Sequence, residues 1–141
     1  MENSVDSIRT TYHFMEWYAE HVVRVRIDDG AEIGMEEALA SHEAMKKLTG
    51  GRFCILLIDV RNTNFNVASE VRAFASSEEG SSTRYADAIL VDSLSNALVG
   101  NFYIRFNRPR IPTRIFKSEA KAMEWIKVQI EKAQKSSMFQ V

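Results

Sequence analysis

Two groups of residues in this 141-residue chain have types and spacing that suit binding chemistry. The first lies in "DVRNTN", residues 59–64, where Asp59 ends an apolar run and Arg61, Asn62 and Asn64 follow. A carboxylate at the carboxyl end of a buried strand, beside a guanidinium and two amides, can line a polar pocket at the edge where open α/β sheets gather ligands. The same residues suit a local role, with Asp59 accepting hydrogen bonds from the loop after it and Arg61 pairing with it. The second group lies in "GNFYIRFNRPRIPTRIF", residues 100–116, where Arg105, Arg108, Arg110 and Arg114 accompany both prolines with no acid among them, and Lys117 extends the run. Guanidinium groups bind phosphate or carboxylate in bidentate fashion. If the four arginines converge they form an anion site; if they diverge they are a solvated connector.

Other candidate chemistry is sparse. His13, His21 and His42 show no metal-ligand spacing with one another or with Cys54. His42 falls on an apolar helical face and reads as a partly buried, hydrogen-bonded histidine. Cys54, the only cysteine, lies in "FCILLI" and reads as a small buried hydrophobe. Asp28, Asp29 and Glu32 adjoin glycines but lack calcium-loop spacing, so a solvated turn is expected. No nucleophile and base pair up in the sequence. Accordingly no catalytic residue, metal or cofactor is assigned, and the chain is expected to be a non-enzyme.

Composition points the same way. A hydrophobic content of 45% in this length supports a single domain spanning residues 1–141, with a core at about 8–132 and a fraying tail at 133–141. With 18 basic and 19 acidic residues, no global field draws the protein to nucleic acid or to a membrane surface. No apolar run approaches the roughly 20 residues a membrane span needs, and the N-terminus lacks a signal core. A cytoplasmic location is expected, with no integral membrane association.

These residues need elements to position them. Ile8–Tyr18 and His21–Ile27 alternate as two strands joined by a tight turn at Ala19 and Glu20. On the first, Tyr12, Phe14 and Tyr18 point one way and His13, Met15 and Trp17 the other. "MEEALASHEAMKKL" forms a helix that Gly50 and Gly51 stop, and "RFCILLIDV" is a strand buried on both faces. A short helix carries Val67, Val71, Phe74 and Ala75 after a cap at Asn66. "SSEEGSSTR" is a polar loop, and "YADAILV" a second buried strand. Residues 94–106 fit a helix or a strand equally, since periodicity alone does not separate them. After Pro109 and Pro112 come the short strand "TRIF" and a helix capped by Ser118. The expected class is α/β: one domain with a five-stranded mixed sheet, an N-terminal antiparallel hairpin followed by parallel strands with right-handed crossover helices.

That order, with "LLIDVRN", "ADAILVDSLSNALVGNF" and "NRPRIPTRIFKSEAKAMEWI", resembles the STAS/SEC14-like group of small bacterial proteins, related in fold to sporulation anti-sigma-factor antagonists (SpoIIAA-like). The resemblance covers roughly residues 10–132. It implies that 94–106 is a helix and that the crossover helices lie chiefly on one face; Phe102, Tyr103 and Phe106, which recur at helical spacing, are expected to feed the core. Regulatory members of the group are switched by phosphorylation of a serine after the central strand. This chain departs there, with Val60 and Arg61 following Asp59.

Two functions follow as expectations. The leading one is a non-enzymatic binding or regulatory module acting through protein–protein contacts, as a homodimer or with a partner protein, through Tyr12, Phe14, Met15, Trp17 and Tyr18. The alternative is binding of a small anionic or lipid-like ligand in the SEC14-like manner. Asp59, Arg61 and Asn62 would line its site, or Arg105, Arg108, Arg110 and Arg114 would hold its head group.

Overall fold

β-Branched and aromatic side chains near the N-terminus form three antiparallel strands, β1 (Ser7–Arg9), β2 (His13–Ala19) and β3 (Val22–Ile27), in a computed structural model that describes residues 6–136. Ile8–Tyr18 is therefore two strands rather than one. The Thr10 hydroxyl accepts from the His13 amide at 3.2 Å, and the Thr10 amide donates to the His13 carbonyl at 2.9 Å. This turn folds Ser7–Arg9 back onto β2. The β2–β3 turn lies at Glu20 and His21, one residue beyond the expected place, and His21 takes the left-handed conformation with φ 67°.

Next come β4 (Ala31–Ile33), α1 (Met35–Thr49), β5 (Ile55–Asp59), β6 (Phe65–Val67) and α2 (Ser69–Ser76). They are followed by β7 (Asp87–Leu90), α3 (Leu94–Phe102), β8 (Thr113–Phe116) and α4 (Glu119–Gln134). A single π-helical turn, Tyr103–Asn107, prolongs α3. In α1, Glu36 and Glu37 sit in the first turn and Lys46 and Lys47 in the last, each opposing the helix dipole, and Gly50 ends the helix at φ 58°. Ser93 and Ser118 cap α3 and α4, their hydroxyls accepting from the amides of Asn96 and Lys121. Asn66 does not cap α2. It lies in β6 and donates to Glu32, while Ala68 starts the helix.

Among the described residues the main sheet has six strands in the order β1-β2-β3-β5-β7-β8, antiparallel to β3 and parallel beyond it. The class is the expected α/β mixed sheet, with one strand more than the predicted five because of the break at Thr10–Tyr12. β4 and β6 pair separately in parallel, Ala31 opposite Phe65 and Ile33 opposite Val67. At three residues each, they are too short to register as periodic patterns.

Helices cover the sheet unequally. Met45 and Leu48 of α1 pack on Met15, Val23, Val25 and Leu56, and Val71 of α2 joins Tyr12, Ile33 and Ala38. α3 lies on the same face, where Gly100 meets Ile115. Among the described residues only α4 covers the opposite face, with Ala122 and Ile126 against Ile55, Leu57, Ala88 and Leu90. Full burial of Leu57 or Ile126 contributes about 2–3 kcal/mol each. The expected fraying of 133–141 falls mostly outside the described residues; Ala133 is fully buried on α4 and Gln134 ends that helix.

Candidate functional site

The β5 strand delivers Asp59 to the carboxyl edge of the sheet, 1% exposed and facing the side that α4 leaves open over β2 and β3. Three arginines converge on it. Arg61 donates to both carboxylate oxygens, Nε at 3.0 Å and Nη2 at 2.9 Å, and its backbone amide adds a third hydrogen bond at 3.1 Å. Arg26 and Arg24 approach from β3 at 3.1 and 3.5 Å. Burial pushes the Asp59 carboxyl up, but the hydrogen bonds and charge of Arg61, with the charge of Arg26, outweigh it and hold the group below its usual range. Glu16 pairs with Arg24, and Glu119 accepts from both Arg61 and Tyr18. The charges of the cluster balance, three cations against three acids, while the Arg24 Nε is buried without a hydrogen-bond partner among the described residues. Asn62, at φ 57°, is drawn away to Asp92 through its backbone amide, and Asn64 to Asp29. The local role of Asp59 and Arg61 is the geometry observed.

β2 divides its side chains between two environments. Met15 is wholly buried, and Trp17 lies between Arg52, 4.4 Å from its ring, and the end of α1, where its indole N–H donates to the Leu48 carbonyl. Tyr12 is buried against α1 and α2. Phe14 and Tyr18 face the other side, beside the arginine cluster; Tyr18 donates to Glu119 at 2.7 Å and receives Arg24 over its ring at 5.2 Å. Met15 and Trp17 are thus engaged by the fold itself, because α1 covers that side of the strand, and Tyr12, in the bend before β2, lies with the helices rather than with Phe14 and Tyr18 as expected.

The arginines of residues 105–114 do not assemble. Arg114 pairs across β8 with Ala88, on the α4 side of the sheet, where it lies over the Phe116 ring. Arg105 lies on the π turn that extends α3 on the opposite side, and Arg108 and Arg110 sit in the exposed connector. None of the four side chains hydrogen-bonds or ion-pairs among the described residues.

α3 holds what the sequence reading misplaced. Phe102 is 47% and Phe106 71% exposed, rather than in the core. The cause is Gly100: a Cβ there would come within 2.7 Å of the Ile115 side chain, so the helix approaches the sheet at Gly100. Asn96, on the same side as Gly100, donates to the carbonyls of Val60 and Thr63. The opposite stripe, Leu94, Leu98, Phe102 and Phe106, consequently faces solvent, with the last two rings stacked at 4.9 Å. The i, i+4, i+8, i+12 spacing of these four residues was the available signal.

Between the sheet and α1, α2 and α3 lies a largely apolar cavity of about 250 Å³. Val25, Ile58 and Ile89 form its floor, and Met45, Val71 and Val99 its helical walls. Its polar wall groups include His13, His42, Arg72 and Tyr103 and the ion pair of Arg84 with Asp87 at 2.7 Å. Among the described residues, no three His, Cys, Asp or Glu side chains gather where they can hold a metal ion. No described helix is long and apolar enough to cross a membrane.

Among curated proteins none matches this sequence. Among solved structures, an uncharacterised protein of the DUF3478 family with a SpoIIAA-like fold, from Shewanella loihica PV-4, is similar over 84% of this chain and 98% of its own, with TM-score 0.58 and 12% identity. At that identity the likeness speaks to the fold alone. Residues 16–129 match a domain family of unknown function, DUF7793, and the chain, matched over most of its length, belongs to that family.

Proposed function

We propose that this protein is a non-enzymatic binding and regulatory module that acts through protein–protein contacts, with the outer face of α3 as its contact surface. The observation that carries the reading is the exposed stripe of Leu94 (77%), Leu98 (59%), Phe102 and Phe106 on one side of one helix. Contiguous apolar surface of this kind is costly in water and marks interaction sites. The π turn and connector that continue this helix carry Arg105, Arg108 and Arg110 and no acid. The partner surface that complements it is apolar with an acidic rim, in the manner of helix-in-groove recognition. A second copy docked through β2 has less support, since α1 occupies the Tyr12, Met15 and Trp17 side. A small anionic or lipid-like ligand held by Arg105, Arg108, Arg110 and Arg114 also has less support, because those side chains lie outside the cavity lining.

Photo-crosslinking from position 98 or 106 identifies the partner, and reconstitution with that purified partner tests the reading. Phe102→Ser with Phe106→Ser is expected to weaken binding by about tenfold or more, as for buried aromatic anchors, without lowering the melting temperature. A reconstituted partner that binds the double variant as tightly as the parent overturns the assignment of this face.

A further inference from the structure

The cavity between the sheet and α1–α3 has an uneven polarity that the docking role of α3 leaves unused. Its floor and most of its walls are aliphatic. Two buried polar atoms on side chains of its wall have no hydrogen-bond partner among the described residues: the Tyr103 hydroxyl and the Arg72 Nε. They come from α2 and from the π turn packed against it. Both are donors, since the guanidinium carries no acceptor and burial, then the nearby Asp87 charge, pushes the Tyr103 hydroxyl up to about 12. A buried donor without a partner costs free energy, and such atoms are rare in folded proteins.

The charges around the cavity select among acceptors. Arg84 is spent on Asp87 and on the carbonyls of Gly80 and Ala75. His13 holds Thr10 and Ser41, and burial keeps it neutral. Arg72 donates to the Val67 carbonyl at 2.8 Å and lies over the Phe102 ring at 5.4 Å, and no acid pairs with it among the described residues. It is the cation on this wall without a counter-charge. Scaled from the ~150 Å³ that accommodates benzene, the observed 250 Å³ suits about ten non-hydrogen atoms, too few for a diacyl lipid. π turns inserted in α-helices recur at functional sites, and this one places Tyr103 on the cavity.

We propose that this cavity binds a small monocarboxylate with a compact apolar body, a single aromatic ring or a short aliphatic chain, whose carboxylate accepts from Tyr103 Oη and Arg72 Nε. The ligand's body would pack against Val71, Val99 and Ile89, and its charge would balance Arg72. The site is distinct from the outer face of α3 and from the arginines of residues 105–114.

The test is an NMR titration of the full chain with phenylacetate, octanoate and, as the neutral counterpart, 2-phenylethanol. The parent protein is compared with Tyr103→Phe and Arg72→Met. Saturable shifts are expected at Val71, Val99 and Tyr103 with the carboxylates, and binding about tenfold weaker or worse for 2-phenylethanol and for each variant. Tyr103→Phe keeps the ring and removes only an unpartnered hydroxyl, so it stays folded even if Arg72→Met does not. The proposal fails if neither carboxylate gives saturable shifts at the cavity residues, if the shifts are confined to Arg105–Arg114, or if 2-phenylethanol binds as tightly as phenylacetate. It fails equally if Tyr103→Phe binds phenylacetate with the parent's affinity. Loss of the α3 partner in the Phe102 and Phe106 variants would leave this result untouched, so the two readings stand or fall separately.

Discussion

His13 is the residue through which pH reaches the core. It is 3% exposed, with its ring nitrogens on the Thr10 hydroxyl at 2.6 Å and the Ser41 hydroxyl at 2.8 Å, and its ring stacked on Tyr12. Burial is the dominant cause that lowers it from 6.5 to about 4; its own backbone hydrogen bond and Asp28 oppose the shift, and Arg9 adds to it. Unfolded chains bind this proton below about 6.5 and the folded protein resists it until about 4. The contribution is therefore fully present above the upper value and is lost as pH falls through the window, about 3 kcal/mol in all. Denaturant melts at pH 7.5 and 4.5 should show this loss, and His13→Gln should flatten the difference. Asp59 carries the opposite lesson at the same scale. Its place at a strand end was legible in the sequence, but the two β3 arginines that meet it are more than 30 positions away, and only strand pairing brings them there.

At the scale of elements, close approach decides more than propensity. The loop after α2 reads as polar and open, yet Ser77 and Ser81 tie it down through hydrogen bonds to Phe74, Gly80 and the Ser77 carbonyl. Gly80 is buried within it, and a Cβ there would overlap the Phe74 carbonyl. Gly80→Ala is expected to destabilise the fold by about 2 kcal/mol or more, measured by thermal or urea unfolding, because backbone rather than a flexible side chain must yield. α3 shows the same principle with a functional consequence. Its apolar residues fit a helix in the sequence, but which stripe faces inward depends on the Gly100 contact with Ile115, and that contact turns Phe102 and Phe106 outward. Phe and Leu at helical spacing are ordinarily core, so the inference from pattern alone ran the wrong way.

For the whole molecule, a formal net charge of −1 conceals an uneven distribution, since residues 93–118 hold only basic charge. Two copies joined through the α3 face would set Arg105, Arg108 and Arg110, on the turn and connector that continue that helix, against one another. Sedimentation velocity at moderate ionic strength is accordingly expected to show a monomer, while affinity for an acidic partner falls as salt rises. A dimer that persists in the Phe102 and Phe106 variants would place self-association on another surface. The inner strand β5, buried from both sides, anchors this arrangement, with α1 to α3 on one face and, among the described residues, α4 alone on the other.

The order of the longer elements, the α/β class, the cap at Ser118 and the stop at Gly50 could all be read from the chain, because each rests on near neighbours and on period. The doubling of the first strand, the β4–β6 pair, the closed network around Asp59, the outward stripe of α3 and the cavity with its two unpartnered donors could not. Each of these depends on which faces of separate elements meet, and that is settled by packing between residues far apart in sequence, where a single missing Cβ or a three-residue pairing leaves no periodic trace.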